Sequence, residues 1–140
     1  MRKEVLVTVR GTQTNDLGEK DTIELVTLGN YYLKNSSYYI VYNETEVSGM
    51  KGTVTSVKAE SKKVTLNRMG ASEMKHVFEE GVPDESSYVT SFGQFFSSVL
   101  PSKVEVDLTD VGGSINLEYE LELDSHKIGY NELCITVKEV

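Results

Sequence analysis

Ile115-Asn116-Leu117-Glu118-Tyr119-Glu120-Leu121-Glu122-Leu123-Asp124 is the stretch that decides how this chain folds. Apolar or aromatic side chains at every odd position alternate with amide or carboxylate side chains at every even one. Successive residues of a strand point to opposite faces, so this is a strand with one dry wall and one wet wall. Working outward, Val104, Val106 and Leu108 hold the same phase against Lys103, Glu105 and Asp107, as do Val5, Val7 and Val9 near the start. Tyr38 to Thr45 is apolar or aromatic on both faces over its first half. Turn-forming clusters separate these runs: Asn15 to Gly18, Asn35 to Ser37, Ser48 to Gly52, Glu60 to Lys63, Gly81 to Glu85, Asp110 to Gly113 and Asp124 to Gly129. Intervals of roughly 8–20 residues suit hairpins in a meander and leave no room for parallel crossovers. Pro83 and Pro101 both stand beside turns, where a missing N–H does no harm to a ladder.

The expectation is therefore all-β: one domain over residues 1–140, a single antiparallel meander of eight or more strands. Closure removes the two long edges that an open sheet would expose, so a barrel is the first reading and a two-sheet sandwich the second. One segment is ambiguous. Over Ser72 to Glu80, Met74, Val77 and Phe78 have helical spacing, whereas Met74, His76 and Phe78 alternate. A short helical turn is expected there or over Phe92 to Leu100.

The 22 acidic against 14 basic residues give a net charge of −8, which opposes approach to nucleic-acid phosphates and anionic lipid surfaces. Neither partner is expected. No run approaches the ~20 apolar residues of a membrane helix, and the start at Met1-Arg2-Lys3-Glu4 has no signal-peptide pattern. Cys134 is the single cysteine, which points to a reducing cytoplasm. The sequons at Asn35 and Asn43 are then without use.

Chemical motifs are sparse. Ser-x-x-Lys occurs at Ser72 to Lys75 and again at Ser48 to Lys51, without the partner motifs that serine acyl-transfer enzymes carry. His76, His126 and Cys134 are too few and too scattered for a metal centre, so no metal and no cofactor is expected. Glu118, Glu120 and Glu122 share a face at about 7 Å spacing, as glycosidase carboxylates can, but a solvated outer wall is the plainer reading. Cys134 lies opposite the apolar phase of Leu133, Ile135 and Val137, with only Lys138 near it to activate a thiol. Tyr31, Tyr32, Tyr38, Tyr39 and Tyr42 crowd one hairpin; core packing is their first reading, a partner or dimer surface the second and a ligand cavity the third.

Gly29, Tyr31, Tyr32 and Lys34, then Tyr39, Tyr42 and Glu44, then Arg68-x-Gly70-x-x-x-Met74, then Tyr88 with Ser91-Phe92-Gly93 follow one another along the chain. With Gly113, Ile115, Tyr119 and the Asn131 to Ile135 ending, their order and spacing resemble the YwiB-like family of bacterial proteins. Ser91 stands where many members carry a proline. The resemblance implies a calycin-type, lipocalin-like barrel in a bacterial cytoplasm; it supplies neither an activity nor a catalytic residue.

Arg68 continues the phase of Val64 and Leu66, which directs a regular strand's guanidinium inward, unless the following Gly70 turns it out. An interior guanidinium needs a partner, and Glu44, in phase with Tyr38, Ile40 and Tyr42, is the expected one. Arg68, Glu44, Tyr42, His76 and Tyr119 are thus the candidate ligand-binding residues of the barrel interior. The preferred role is a non-enzymatic barrel, monomer or homodimer, that binds a small molecule or a protein. The alternatives are an enzyme using Arg68 for anion binding and His76 for proton transfer, or a purely structural interaction domain.

Overall fold

The computed structural model describes residues 2–140. Ten strands follow one another: β1 (Lys3–Thr14), β2 (Lys20–Lys34), β3 (Ser37–Asn43), β4 (Thr53–Ala59), β5 (Lys63–Gly70), β6 (Met74–Glu79), β7 (Asp84–Thr90), β8 (Gly93–Thr109), β9 (Gly112–Leu123) and β10 (His126–Glu139). They form one antiparallel sheet in the order β6-β5-β4-β3-β2-β1-β10-β9-β8-β7, wrapped into a nearly closed barrel. Each strand pairs with its neighbours in sequence except β6 with β7, and β1 joins β10 from Val5↔Glu139 to Thr14↔Tyr130. The meander expected from the turn clusters is the fold.

The alternating residues face inward. Val5, Val7, Ile40, Val57, Val64 and Ile135 are fully buried, and Leu117 of the deciding stretch is 1% exposed. Burying one such aliphatic side chain stabilises a fold by about 1.5–3 kcal/mol, so the phase of each strand is energetically fixed. Glu118, Glu120 and Glu122 consequently stand on the outer wall. Glu118 is not merely solvated: it accepts the Tyr130 hydroxyl at 2.5 Å and lies 3.4 Å from Lys103 Nζ. Those bonds, the tyrosine's first, hold its carboxyl below the usual range. Glu120 and Glu122 lack such partners, and Glu120→Gln or Glu122→Gln is expected to change the unfolding free energy by no more than about 0.5 kcal/mol in urea titration.

No helical turn forms over residues 72–80 or 92–100; Met74–Glu79 is β6, and all of the second segment but Phe92 belongs to β8. Alternation prevails in β6 because His76 and Phe78 both turn inward and are 1% and 2% exposed. Among the described residues the helical element is instead a 3-10 turn, Glu46–Ser48, whose Val47 N–H donates to the Thr45 side chain and whose end is Gly49 in the left-handed region.

One end of the barrel is closed by polar contacts. Tyr31 stacks on Tyr38 with ring centroids 5.2 Å apart, and their hydroxyls donate to the Thr109 carbonyl and the Asp110 carboxylate, each at 2.6 Å. The hairpin's tyrosines divide by face: Tyr31 and Tyr42 enter the core, while Tyr32 and Tyr39 stack on the other side of the sheet with Arg2 above Tyr32.

The ladder parts at one place, between β6 and β7. Bridges at Glu73↔Val89 and Glu79↔Val82 pin its two ends. Between them side chains replace carbonyls: Ser86 Oγ accepts the Lys75 N–H at 3.1 Å, and Asp84 Oδ2 accepts the Val77 N–H at 3.0 Å. The connecting loop is tied across β8, with Gly81 N–H donating to the Pro101 carbonyl and Glu80 accepting the Val104 N–H beside the β8 bulge. This seam positions the site.

Candidate functional site

Beside the seam lies an interior cavity of about 160 Å³. Apolar walls come from Leu66, Phe78, Val99 and Leu121, and polar groups from Arg68, His76, Tyr88, Ser97 and Tyr119. Each polar residue arrives on a different strand, β5 to β9 in order, and each is there because its strand's inward phase leads to this end of the barrel.

Arg68 projects inward as its phase predicts. Its Nε–H is buried and has no hydrogen-bond partner. The expected partner is absent: no ion pair joins Arg68 to Glu44, and neither Glu44 nor Tyr42 lines the cavity. The reason is register. Thr55 of β4 stands opposite both Tyr42 and Arg68, so β4 separates Arg68 from the strand that leads to Glu44, its expected partner. Glu44, one inward position further along, takes the Thr55 hydroxyl at 2.5 Å while its N–H donates to the Thr53 carbonyl. Tyr42 is buried beside this pair, and desolvation with the Glu44 charge drives its hydroxyl well above the usual range. Two of the five candidate residues thus belong to a neighbouring buried network, close enough for the Arg68 charge to act on Tyr42.

His76 is held at both nitrogens. Nδ1 lies 2.9 Å from Asp84 Oδ2 and Nε2 lies 2.8 Å from Ser97 Oγ. A carboxylate only accepts, so the neutral ring carries its proton on Nδ1, and Nε2 accepts from the Ser97 hydroxyl. Burial lowers the histidine's pKa and the nearby Arg68 charge adds to this, against the opposing pull of Asp84. The ring is therefore a neutral imidazole at neutral pH rather than half of an ion pair. Tyr119 stacks obliquely on Phe78 at 4.9 Å, and desolvation raises its hydroxyl above the ordinary value.

Among the described residues no group of three or more His, Cys, Asp or Glu side chains converges as metal ligands would. No helix is long and apolar enough to cross a membrane.

The family model described as "Domain of unknown function (DUF1934)" matches residues 7–135. The chain belongs to the DUF1934 family. It is 27% identical over 137 residues to the "Uncharacterized beta-barrel protein YwiB" of Bacillus subtilis (strain 168), covering 97% of this chain and 95% of that one. The crystal structure of the Bacillus subtilis ywiB protein superposes with a TM-score of 0.87 at 25% identity, over 99% of this chain and 93% of that one. The resemblance read from the tyrosine, Arg-x-Gly and closing-hairpin residues is confirmed, and with it the barrel.

In this DUF1934 barrel, sequence reading singled out Arg68, His76 and Tyr119 but passed over Asp84 and Ser97. Asp84 hides in a Pro83-Asp84 turn cluster, where aspartate is ordinary turn chemistry. Ser97 did leave a signal: it keeps the inward phase of Val99, and a hydroxyl on a dry wall calls for a partner.

Because Arg68 already lacks a partner at Nε, Arg68→Met is expected to leave stability unchanged or raise it slightly. Glu44→Gln is expected to act independently, with a coupling energy under about 0.5 kcal/mol in a double-mutant cycle read by urea unfolding.

Proposed function

We propose that this barrel binds a small anion with a short apolar body, its charged group held by Arg68 in the cavity beside the β6–β7 seam. The observation that carries this reading is the buried Arg68 Nε–H without a protein partner. An N–H donor withdrawn from water is costly unless it is met, as the Arg68 Nε–H is not, and the carboxylates of the neighbouring inward faces are engaged: Glu44 with Thr55, Asp84 with His76 and Val77. An entering carboxylate or phosphate matches the planar donor fork. Leu66, Phe78, Val99 and Leu121 supply the surface for the apolar body. At about 160 Å³ the space equals the liquid volume of roughly five waters, so the ligand is the size of a short-chain carboxylate, well below drug-sized molecules. Small barrels of the lipocalin-like kind can hold one such ligand. The single Cys134 supports a reducing, cytoplasmic setting for that role.

The test is a titration with acetate, butyrate, octanoate and inorganic phosphate, followed by the side-chain Nε–H resonance of Arg68 and the methyl resonances of Leu66 and Leu121. Butyrate is expected to give saturable shifts in the wild type and none in a folded Arg68→Met variant. An unresponsive wild type, or a variant that still binds butyrate, overturns the reading.

A further inference from the structure

We propose that Ser97 is the nucleophile of an acyl-transfer site, with His76 as its base and Asp84 as the residue that positions His76, acting on small neutral esters that enter the same cavity. Asp84 Oδ2, His76 Nδ1, His76 Nε2 and Ser97 Oγ form one continuous hydrogen-bonded line with links of 2.9 and 2.8 Å. A carboxylate fixing the tautomer of an imidazole whose other nitrogen accepts from a serine hydroxyl is the geometry that makes a weak nucleophile competent. The three residues come from β7, β6 and β8, so the line is assembled only by the fold.

Closing the seam explains Asp84 and Ser86, which receive the N–H groups of Val77 and Lys75. It does not require a hydroxyl on the far nitrogen of His76 at a cavity wall. His76 and Ser97 are each 1% exposed, yet both line the cavity, so a reactant reaches them through that space or not at all. The imidazole is neutral at neutral pH, as a base must be, because it is buried. Beside the cavity the Val77 and Lys75 N–H groups are taken by Asp84 and Ser86, so the side-chain donors for an oxyanion are the Arg68 guanidinium and the Tyr119 hydroxyl, with the Tyr88 hydroxyl if it leaves Met50 Sδ.

The reaction is hydrolysis. Ser97 Oγ bonds to the ester carbonyl carbon as its proton passes to His76 Nε2. The carbon–oxygen bond to the alcohol then breaks, and the departing alkoxide takes that proton. Water, deprotonated by the same nitrogen, attacks the acyl-serine, releasing a carboxylic acid and restoring Ser97. Its ionised form belongs to the class of small anion assigned above to Arg68. The inference rests on that reading for the cavity's access to small molecules, not for the anion.

Dimethyl fluorophosphate, uncharged and small enough for a cavity of about 160 Å³, tests it. Attack by Ser97 on phosphorus forms an oxygen–phosphorus bond and expels fluoride, with the proton again taken by His76. Intact-mass and peptide analysis should find one dimethylphosphoryl group, on Ser97, in the wild type and none in Ser97→Ala. His76→Gln should slow labelling by about 100-fold or more. Asp84→Asn should slow it too while shifting the His76 tautomer seen in its ring nitrogen resonances. Circular dichroism first establishes which variants fold; Ser97→Ala, the smallest change, carries the comparison if the others do not. An unlabelled wild type, a label on tyrosine, or a rate unchanged in folded His76→Gln overturns the proposal. Because the reagent has no charge for Arg68 to hold, failure here and failure of butyrate binding are separate results.

Discussion

Asp84→Ala is expected to lower the unfolding free energy by about 3 kcal/mol at pH 7, because a buried donor and a part-buried one lose their acceptor at once and each unsatisfied group costs about 1–3 kcal/mol. Those donors are the His76 Nδ1–H and the Val77 N–H, both directed at Asp84 Oδ2. The side chain of Asp84 is itself 28% exposed, so water that replaces it recovers part of the loss at Val77 but little at the His76 ring, which is 1% exposed. Urea unfolding at pH 7 measures the total. A change under about 0.5 kcal/mol, the size of an ordinary surface effect, would show that the seam does not depend on this carboxylate.

The same contact sets a dependence on pH whose sign follows from the direction of the histidine's shift. His76 is lowered in the folded state below its ordinary value of about 6.5, so below that pH the unfolded chain binds a proton that the folded chain refuses. The stabilising contribution is complete above about pH 6.5 and is lost as the pH falls towards the folded-state value. Asp84 opposes the shift, so Asp84→Ala should push the folded value lower still and deepen the acid-side loss. His76→Gln should remove that part of the slope. The measurement is the urea midpoint for the three proteins from pH 7.5 to 5.

Gly113→Ala is expected to cost about 3 kcal/mol or more, through crowding and backbone strain together. A Cβ at this position would sit 1.9 Å from the Asp107 carbonyl oxygen and 3.0 Å from its carbon, and the residue has φ +144°, which side chains rarely adopt. Gly113 lies between Val137 of β10 and Leu108 of β8 in the ladder, so neither neighbouring backbone can withdraw without breaking pairs. Gly18 is the control. It also has positive φ, but nothing lies within 4 Å of its would-be Cβ. Gly18→Ala should therefore show only the conformational cost, about 1 kcal/mol. Equal thermal shifts for the two variants would mean that the close approach at Gly113 relaxes freely.

The fold was legible because its cause is local. Period-two alternation in Ile115 to Leu123 specifies a strand and its buried face from adjacent residues alone, and turn residues at Asn15 to Gly18 or Asp124 to Gly129 specify where the chain reverses. Antiparallel order follows, since each hairpin is an interaction between sequence neighbours. The inward direction of Arg68 was available by the same rule, from the phase of Val64 and Leu66. Which inward residues meet was not. Alternation states the face of a strand but not its level along the barrel, and level depends on register: Thr55 stands opposite Tyr42 and Arg68 together, so the expected Arg68–Glu44 pair gives way to a Glu44–Thr55 bond. For the same reason the sequence held His76 without its companions. Asp84 and Ser97 stand 8 and 21 residues away, and only the parted seam and the return of β8 bring a carboxylate and a hydroxyl to its two nitrogens. Faces are decided by neighbours in the chain, whereas sites are decided by neighbours in space, and those exist only once the sheet has closed on itself.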